Sequence, residues 1–131
     1  MGDRANIVMV QHPWGGKPQS LIYFYSHWGG SGLPKVLQSA LIRGKGRWDD
    51  EPYLARIIFS EMIRDSVEDD TGFGISTYQA DNEHPLLVVN SETKTVSVAD
   101  AKTPEDTHSS VSFSRYVELT DDELEHFRVE S

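Results

Sequence analysis

The chain has 131 residues and the composition of an ordinary soluble globular protein, with 37% hydrophobic, 10% aromatic and 25% charged residues. At this length we expect one domain over residues 1–131, and no apolar run approaches the roughly 20 residues that cross a bilayer, so no membrane partner is expected. The absence of cysteine excludes disulfides and thiolate chemistry. Because no apolar signal segment follows the first residues, we expect a cytoplasmic protein.

Charge is distributed unevenly along the chain, whose net charge is −9. Residues 1–64 hold eight Lys and Arg against five Asp and Glu, a balance of +3, whereas residues 65–131 hold four against sixteen, a balance of −12. General nucleic-acid binding is therefore not expected, while a local basic site in the first half remains possible. Acidity that serves only solubility is the alternative interpretation.

Apolar spacing and turn residues predict an alternation of strands and helices. In chain order, the predicted elements are strands over 6–10 and 20–25, helices over 33–42 and about 50–65, strands over 73–78, 86–89, 95–98 and 113–119, and a helix over 121–127. The first two strands are expected to form a hairpin, and the three between 73 and 98 a meander with turns at 81–84 and 90–94. Residues 100–110 are polar and are predicted to form a surface loop.

The ends of two predicted helices carry capping signals. Asp49 or Asp50 is suited to cap the second helix, and Thr120 followed by Glu123 has the spacing of a capping box at the start of an acidic C-terminal helix and tail over 120–131. The order of elements predicts an α+β fold. We expect a mainly antiparallel sheet of about five to six strands, with two helices packed on one face and a short acidic C-terminal helix.

The stretch Trp-Gly-Gly occurs twice in the first 30 residues. The first copy, beginning at Trp14, lies between two strands, where its glycines supply the positive φ of a hairpin loop and the indole covers a sheet edge. The second copy lies between a strand and a helix, where residues 29–32 are expected to point unpaired amides at an anion. His27 could donate a hydrogen bond there and Trp28 could stack on a base; a core tryptophan and an internally bonded histidine are the alternative.

A basic and aromatic segment, 43–48, follows the first helix. Its cations and Trp48 on a flexible backbone suit phosphate, although a solvated loop between helices is the alternative. If the two helices pack antiparallel, the 43–48 segment lies far from Gly32. One ligand could then contact both this segment and the 29–32 loop only across a subunit interface, which would require a homo-oligomer. The predicted ligand-binding residues are Arg4, Asn6, His27, Trp28, Gly29, Gly30, Ser31, Arg43, Arg47, Trp48, Tyr53 and Arg56.

Neither a metal nor another cofactor is predicted, and no residue is assigned as catalytic. The stretch Asp81-Asn82-Glu83-His84 contains residue types that bind metals, but its spacing fits no metal motif and a plain turn is expected there.

Several segments resemble a group of small bacteriophage and bacterial proteins. They are MGDRAN at 1–6, YSHWGG at 25–30, RWDD at 47–50, YLARIIF at 53–59 and TGFGIS at 71–76, and the resemblance extends from Met1 to about Val98. That group has no established activity, so the resemblance implies no catalytic residue. It implies a setting in the host cytoplasm, where small phage proteins sequester a signalling molecule or bind a host protein.

Three functions are compatible with these features. The leading expectation is a non-enzymatic protein that binds a small anionic ligand such as a nucleotide or cyclic nucleotide, with phosphate on the 29–32 amides and the basic residues and a base on Trp28 or Trp48. The alternative is an acidic interaction or inhibitor protein that meets a basic surface of a host protein through Asp121, Asp122, Glu123 and Glu125. The third is a small hydrolase or transferase using His27 with a carboxylate such as Asp49 or Asp81.

Overall fold

The computed structural model describes residues 2–128 as a six-stranded mixed sheet with helices packed on one face. The strands and helices are β1 (Ala5–Gln11), β2 (Ser20–Ser26), α1 (Leu33–Arg43), α2 (Glu51–Met62), β3 (Phe73–Ser76), β4 (Leu86–Asn90), β5 (Thr95–Ala99), β6 (Thr107–Ser112), α3 (Phe113–Tyr116) and α4 (Asp121–Phe127). The spatial order is β3-β2-β1-β4-β5-β6, and only β1 and β4 pair in parallel. The predicted α+β fold with a mainly antiparallel sheet is confirmed.

The central strand β1 has both faces buried. Ile7 and Met9 face the helices, whereas Val8 and Val10 belong to a smaller apolar cluster on the opposite face. A strand covered on both sides has a continuous apolar sequence, which explains the run Ile-Val-Met-Val. The predicted hairpin is confirmed, because β1 pairs antiparallel with β2 over their whole lengths.

Both long helices bury the residues that helical spacing predicted. Leu37 and Leu41 of α1 and Leu54 and Ile58 of α2 are fully buried in the core between helices and sheet. The side chain of Asp50 accepts a hydrogen bond from Tyr53 N at 3.3 Å and so caps α2. The helix ends at Met62, three residues before the predicted end. Its first turn contains a proline, whose missing N–H would have had no partner within the helix at that position.

The first half of the predicted meander is wrong, because β3 pairs with β2 and not with β4, whereas the antiparallel pairing of β4 with β5 across the predicted 90–94 turn is confirmed. The residues of β4 from Leu86 to Val89 are buried on both faces, so the strand belongs in the centre of the sheet beside β1. The half-exposed β3 can then lie at the edge. Residues 77–85 connect β3, at one edge of the sheet, to β4, in its centre.

The prediction of a last strand over residues 113–119 is also wrong, because the last strand is β6, Thr107–Ser112. Part of the predicted 100–110 loop belongs to this strand, whose polar side chains are mostly exposed at the sheet edge. Phe113 and Tyr116 instead start and end α3, where a spacing of three residues places both rings in the core. The Ser112 side chain caps this helix by accepting a hydrogen bond from Arg115 N at 3.0 Å.

The capping box of α4 is confirmed. Thr120 Oγ1 accepts from Glu123 N at 3.2 Å, and Glu123 Oε1 accepts from Thr120 N at 2.9 Å. Residues 129–131 of the predicted C-terminal segment lie outside the described residues. Over residues 2–128, no helix combines the length and apolar character needed to cross a membrane.

Candidate functional site

The predicted ligand residues divide between the two ends of β1. Residues 4–6 and 27–31 lie where β1 begins and β2 ends. The remaining candidates belong to α1, α2 and the segment between them. This second group lies near the other end of β1, because Glu51 at the start of α2 accepts a hydrogen bond from His12 N, and His12 directly follows β1. Seven strand residues span about 20 Å, so the anchoring points of the two groups are separated by roughly that distance.

The amides of the second Trp-Gly-Gly loop are paired within the chain. Gly29 N donates to Ser26 Oγ at 3.1 Å, Gly30 N to Asp3 O at 2.7 Å, Ser31 N to Asp3 Oδ2 at 2.8 Å, and Gly32 N to Gly29 O at 3.0 Å. The prediction of unpaired amides is therefore wrong. The Asp3 carboxylate occupies the position expected for phosphate, because the Asp3 backbone, just before β1, is hydrogen-bonded to His27 and Gly30 of this loop.

Sequence reasoning missed Asp3, which belongs to an ion-pair cluster of Asp3, Arg4, Asp81, Glu83 and His84. Asp3 Oδ1 lies 2.6 Å from His84 Nε2, and Arg4 lies 3.0 Å from Asp81 and 3.1 Å from Glu83. Hydrogen bonds from His84 and Ser31 lower the pKa of Asp3 to about 2, and the hydrogen bonds with Arg4 lower the pKa of Glu83. With three carboxylates facing one guanidinium and one imidazole, the cluster has no surplus positive charge for a phosphate.

Asn6, His27 and Trp28 also have contacts within the chain. Asn6 is fully buried and donates to Asn82 Oδ1 at 3.2 Å. The His27 Nδ1 atom lies 2.7 Å from the Tyr25 hydroxyl, and Trp28 meets the imidazole edge-on with ring centroids 4.7 Å apart. Trp28 is 60% exposed and covers Gly72, so it is not a core residue.

The carboxylates considered as partners of His27 are engaged elsewhere. Asp81 pairs with Arg4, and Asp49 pairs with Lys94 at 2.5 Å, beyond the opposite end of β1. The hydrogen-bond partner of His27 is therefore a phenol, not one of these carboxylates. This arrangement does not favour the hydrolase hypothesis.

Among the candidates in α1, α2 and the segment between them, Arg43 and Trp48 are engaged in contacts within the chain. Arg43 lies 3.1 Å from Glu61 and donates to Ile57 O at 2.9 Å, which ties α1 to α2. Trp48 Nε1 donates to Leu41 O at 2.9 Å, and its ring packs edge-on against Phe113. Arg56 is exposed on α2.

Arg47 and Tyr53 form an exposed pair beside the first Trp-Gly-Gly loop. The guanidinium of Arg47 lies 4.9 Å from the centroid of the Tyr53 ring, and its nearest carboxylate, Asp50, is 4.0 Å away. A pocket of about 550 Å³, here called the Trp14–Arg47 pocket, adjoins them. It is lined by Trp14, Gly46, Arg47, Asp49, Asp50, Glu51 and Pro52.

Trp14, which sequence reasoning had assigned to a turn, is 94% exposed. Gly15 and Gly16 have the predicted positive φ, at 76° and 71°. The expectation that the indole covers a sheet edge is wrong, because nearly all of its surface is exposed. Because so little of this indole contacts its own chain, its faces are accessible to a ligand, and this exposure could not be read from the sequence.

Each carboxylate that lines this pocket has a partner. Asp49 pairs with Lys94, Asp50 caps α2, and Glu51 Oε1 lies 2.7 Å from His12 Nδ1. Only Asp49 among them is paired with a lysine, so Arg47 lies beside a wall that keeps part of its negative charge. The pocket can hold an aromatic ring against Trp14 and place its polar edge near the guanidinium.

Residues 2–128 contain no group of three or more His, Asp or Glu side chains arranged to hold a metal ion. No protein-family model, curated protein or solved structure matches the chain, so these comparisons lend no support to the resemblance to phage proteins. The assignment of a function therefore depends on the geometry of the site.

Proposed function

We propose that the chain is a non-enzymatic binding protein for a small planar anion of the nucleotide class, held in the Trp14–Arg47 pocket. The observation that carries the proposal is that an indole with 94% exposure and an arginine line the same pocket of about 550 Å³. Ligand pockets commonly have volumes of about 300–1,000 Å³. This site replaces the one predicted around Trp28 and the 29–32 amides.

Each part of the ligand has a matching group. The exposed face of Trp14 offers a stacking surface for a base, and the N–H fork of Arg47 suits phosphate. Contact with the Tyr53 ring limits the rotamers of Arg47, which lowers the entropy lost on binding. The first turn of α2, beginning at Glu51, adds the positive end of a helix dipole beside the pocket.

Calorimetric titration with a panel of mono-, di- and cyclic nucleotides tests this proposal. At least one is expected to bind and to raise Tm by several degrees, and Trp14→Ala is expected to weaken its binding at least tenfold. Because Trp14 is exposed, the variant should keep its unfolding free energy within about 0.5 kcal/mol.

The matched control is Tyr78→Ala, which removes another exposed aromatic ring, 71% accessible, outside the pocket. This variant should bind as the wild type does. Failure of the whole panel to bind, or equal affinity for wild type and Trp14→Ala, would overturn the proposal.

A second candidate function is supported by pockets on two sides of α4. One, of about 430 Å³, is lined by apolar side chains together with Asp122 and Glu123; another, of about 170 Å³, is lined by apolar side chains together with Asp121 and Glu125. The apolar lining residues are Val111, Leu119 and Phe127 in the first and Pro34 and Leu124 in the second. Such surfaces fit a basic amphipathic helix of a host protein.

This second function predicts salt-dependent binding of a labelled helical peptide of Leu and Lys, measured by fluorescence anisotropy. Asp122→Lys with Glu125→Lys should abolish binding because each pocket loses a carboxylate and gains a like charge to the peptide. Glu105→Lys with Asp106→Lys makes the same change of charge in an exposed loop and should keep most of the affinity. Equal losses in the two double variants would show only a response to net charge and would contradict docking on α4.

A further inference from the structure

We propose that β3 is a docking edge, to which an extended and positively charged segment of another protein adds as a further strand. Within residues 2–128, β3 bonds to β2 on one side and has no neighbouring strand on the other. The β3 edge shares no residue with the lining of the Trp14–Arg47 pocket.

The register of β2 and β3 identifies the backbone groups that point outward. His27 N donates to Gly72 O at 2.9 Å, and antiparallel pairs alternate between bonded and non-bonded along the ladder. Gly74 and Ser76, opposite Tyr25 and Tyr23, therefore direct their N–H and C=O groups at β2. Phe73 and Ile75 direct theirs away from the sheet, which leaves two donors and two acceptors spaced for an incoming strand.

Exposed apolar side chains follow the same edge. Trp28 covers Gly72 directly before β3, Ile75 is 53% exposed within it, and Tyr78 is 71% exposed two residues after it. Ile75 lies opposite the buried Phe24 and so belongs to the helix side of the sheet. A docked strand with an apolar residue on that side would cover Ile75 while its backbone completes the ladder.

Charge indicates the kind of segment that fits. The strand itself carries no charge, while Glu68, Asp69 and Asp70 are exposed just before it. Lys or Arg in the incoming segment would complement these carboxylates. A second copy of this chain fits less well, because antiparallel pairing of two β3 strands would bring residues 68–70 of each copy toward Asp81 of the other.

The opposite edge strand, β6, is protected against strand addition, so β3 is the edge that can accept a further strand. The pairing of β5 with β6 shifts register between Val96 and Val98, and Ser109 of β6 has a φ of 57°. Such irregularities distort an edge and prevent regular strand addition. β6 also runs directly into α3, which ends the edge at Ser112.

The test starts with selection of random twelve-residue peptides on the full chain at low salt, followed by titration of the selected peptides. We expect peptides that are rich in Lys, Arg and β-branched residues and lack proline. Ile75→Pro should weaken their binding at least tenfold, because it removes an outward N–H and leaves the bonds of Gly74 and Ser76 to β2. Ile75→Val, which keeps the N–H and the branched side chain, should bind as the wild type does.

Residue-resolved amide exchange provides a second measurement that does not depend on a variant folding correctly. In the free protein, the amides of Gly74 and Ser76 should be protected and those of Phe73 and Ile75 should exchange fast; peptide binding should protect the latter pair. Absence of any selected peptide, unchanged affinity of Ile75→Pro, or no new protection at Phe73 and Ile75 would overturn the proposal. If protection of the Phe73 and Ile75 amides instead rises with protein concentration in the absence of peptide, a second copy of the chain and not a basic partner docks on β3, which would also overturn the proposal.

The α4 variant Asp122→Lys with Glu125→Lys separates this inference from docking on α4. It should leave the affinity of the selected peptides within about twofold, because neither residue lies beside β3. Loss of binding in this variant would assign the peptides to α4 and would overturn docking at β3.

Discussion

Asp3 links three segments that are far apart in sequence. Its carboxylate accepts from Ser31 N at 2.8 Å and lies 2.6 Å from His84 Nε2, while its carbonyl accepts from Gly30 N. A carboxylate close to the start of α1 is also stabilised by the helix dipole. One acidic residue therefore joins the segment before β1, the 29–32 loop and the 81–84 segment.

At the residue scale, the low pKa of Asp3 predicts a pH-dependent contribution to stability. Its folded pKa of about 2 lies below the usual value of 3.8, so the contribution is complete above about pH 5 and is lost as the pH falls toward 2. Because 35% of the Asp3 side chain is exposed, solvent screening reduces the contribution to about 1 kcal/mol. Asp3→Asn should therefore destabilise the fold at pH 6 and have little effect near pH 2.

Urea unfolding of wild type and Asp3→Asn at several pH values measures this difference. Asp65→Asn, a change of the same kind at an exposed loop carboxylate, is the control and should change stability little at any pH. A difference between wild type and Asp3→Asn that stays constant from pH 6 to pH 2 would contradict the role assigned to the carboxylate.

At the element scale, α4 is too short to be stable by itself. A helix of seven residues lies well below the length at which isolated helices persist, so its stability comes from its cap and from packing. Leu124 is buried in the core, and Phe127 meets Tyr116 edge-on with centroids 5.4 Å apart. Burial raises the pKa of Tyr116, and its hydroxyl donates to Pro34 O, so this contact extends from α4 to the start of α1.

The cap of α4 gives a second prediction. Thr120→Ala removes the acceptor for Glu123 N and should cost about 1 kcal/mol of unfolding free energy. Thr120→Ser keeps the hydroxyl and should retain most of the stability. Chemical denaturation and amide exchange across residues 121–127 measure both effects, and equal behaviour of the two variants would show that packing alone holds the helix.

At the scale of the whole molecule, the net charge of −9 predicts how salt affects stability. The ion pairs that contribute to the fold are mostly exposed and individually weak, whereas repulsion among 21 acidic residues acts over the entire surface. Because salt screens charges beyond about 10 Å at 0.1 M, we expect Tm to rise by a few degrees between 20 and 300 mM NaCl. Thermal melts followed by circular dichroism measure it, and a fall in Tm would mean that the ion pairs outweigh the repulsion.

The sequence by itself determined the elements whose signals are local. Helical spacing predicted α1 and α2, the apolar runs predicted the hairpin of β1 and β2, and Thr120 with Glu123 predicted the cap of α4. These features depend on contacts within about four residues along a helix or on a short apolar run within one strand, so no knowledge of the rest of the chain is needed.

Only the tertiary structure decided where β3 and β4 lie and which groups reach the candidate sites. Strand order depends on burying both faces of β4 at once, and the engagement of Ser31 N depends on Asp3, 28 residues away. The exposure of Trp14 is likewise a property of the surroundings of the loop and not of its sequence. Burial, strand order and charge pairing are set by long-range packing, and local periodicity carries no record of them.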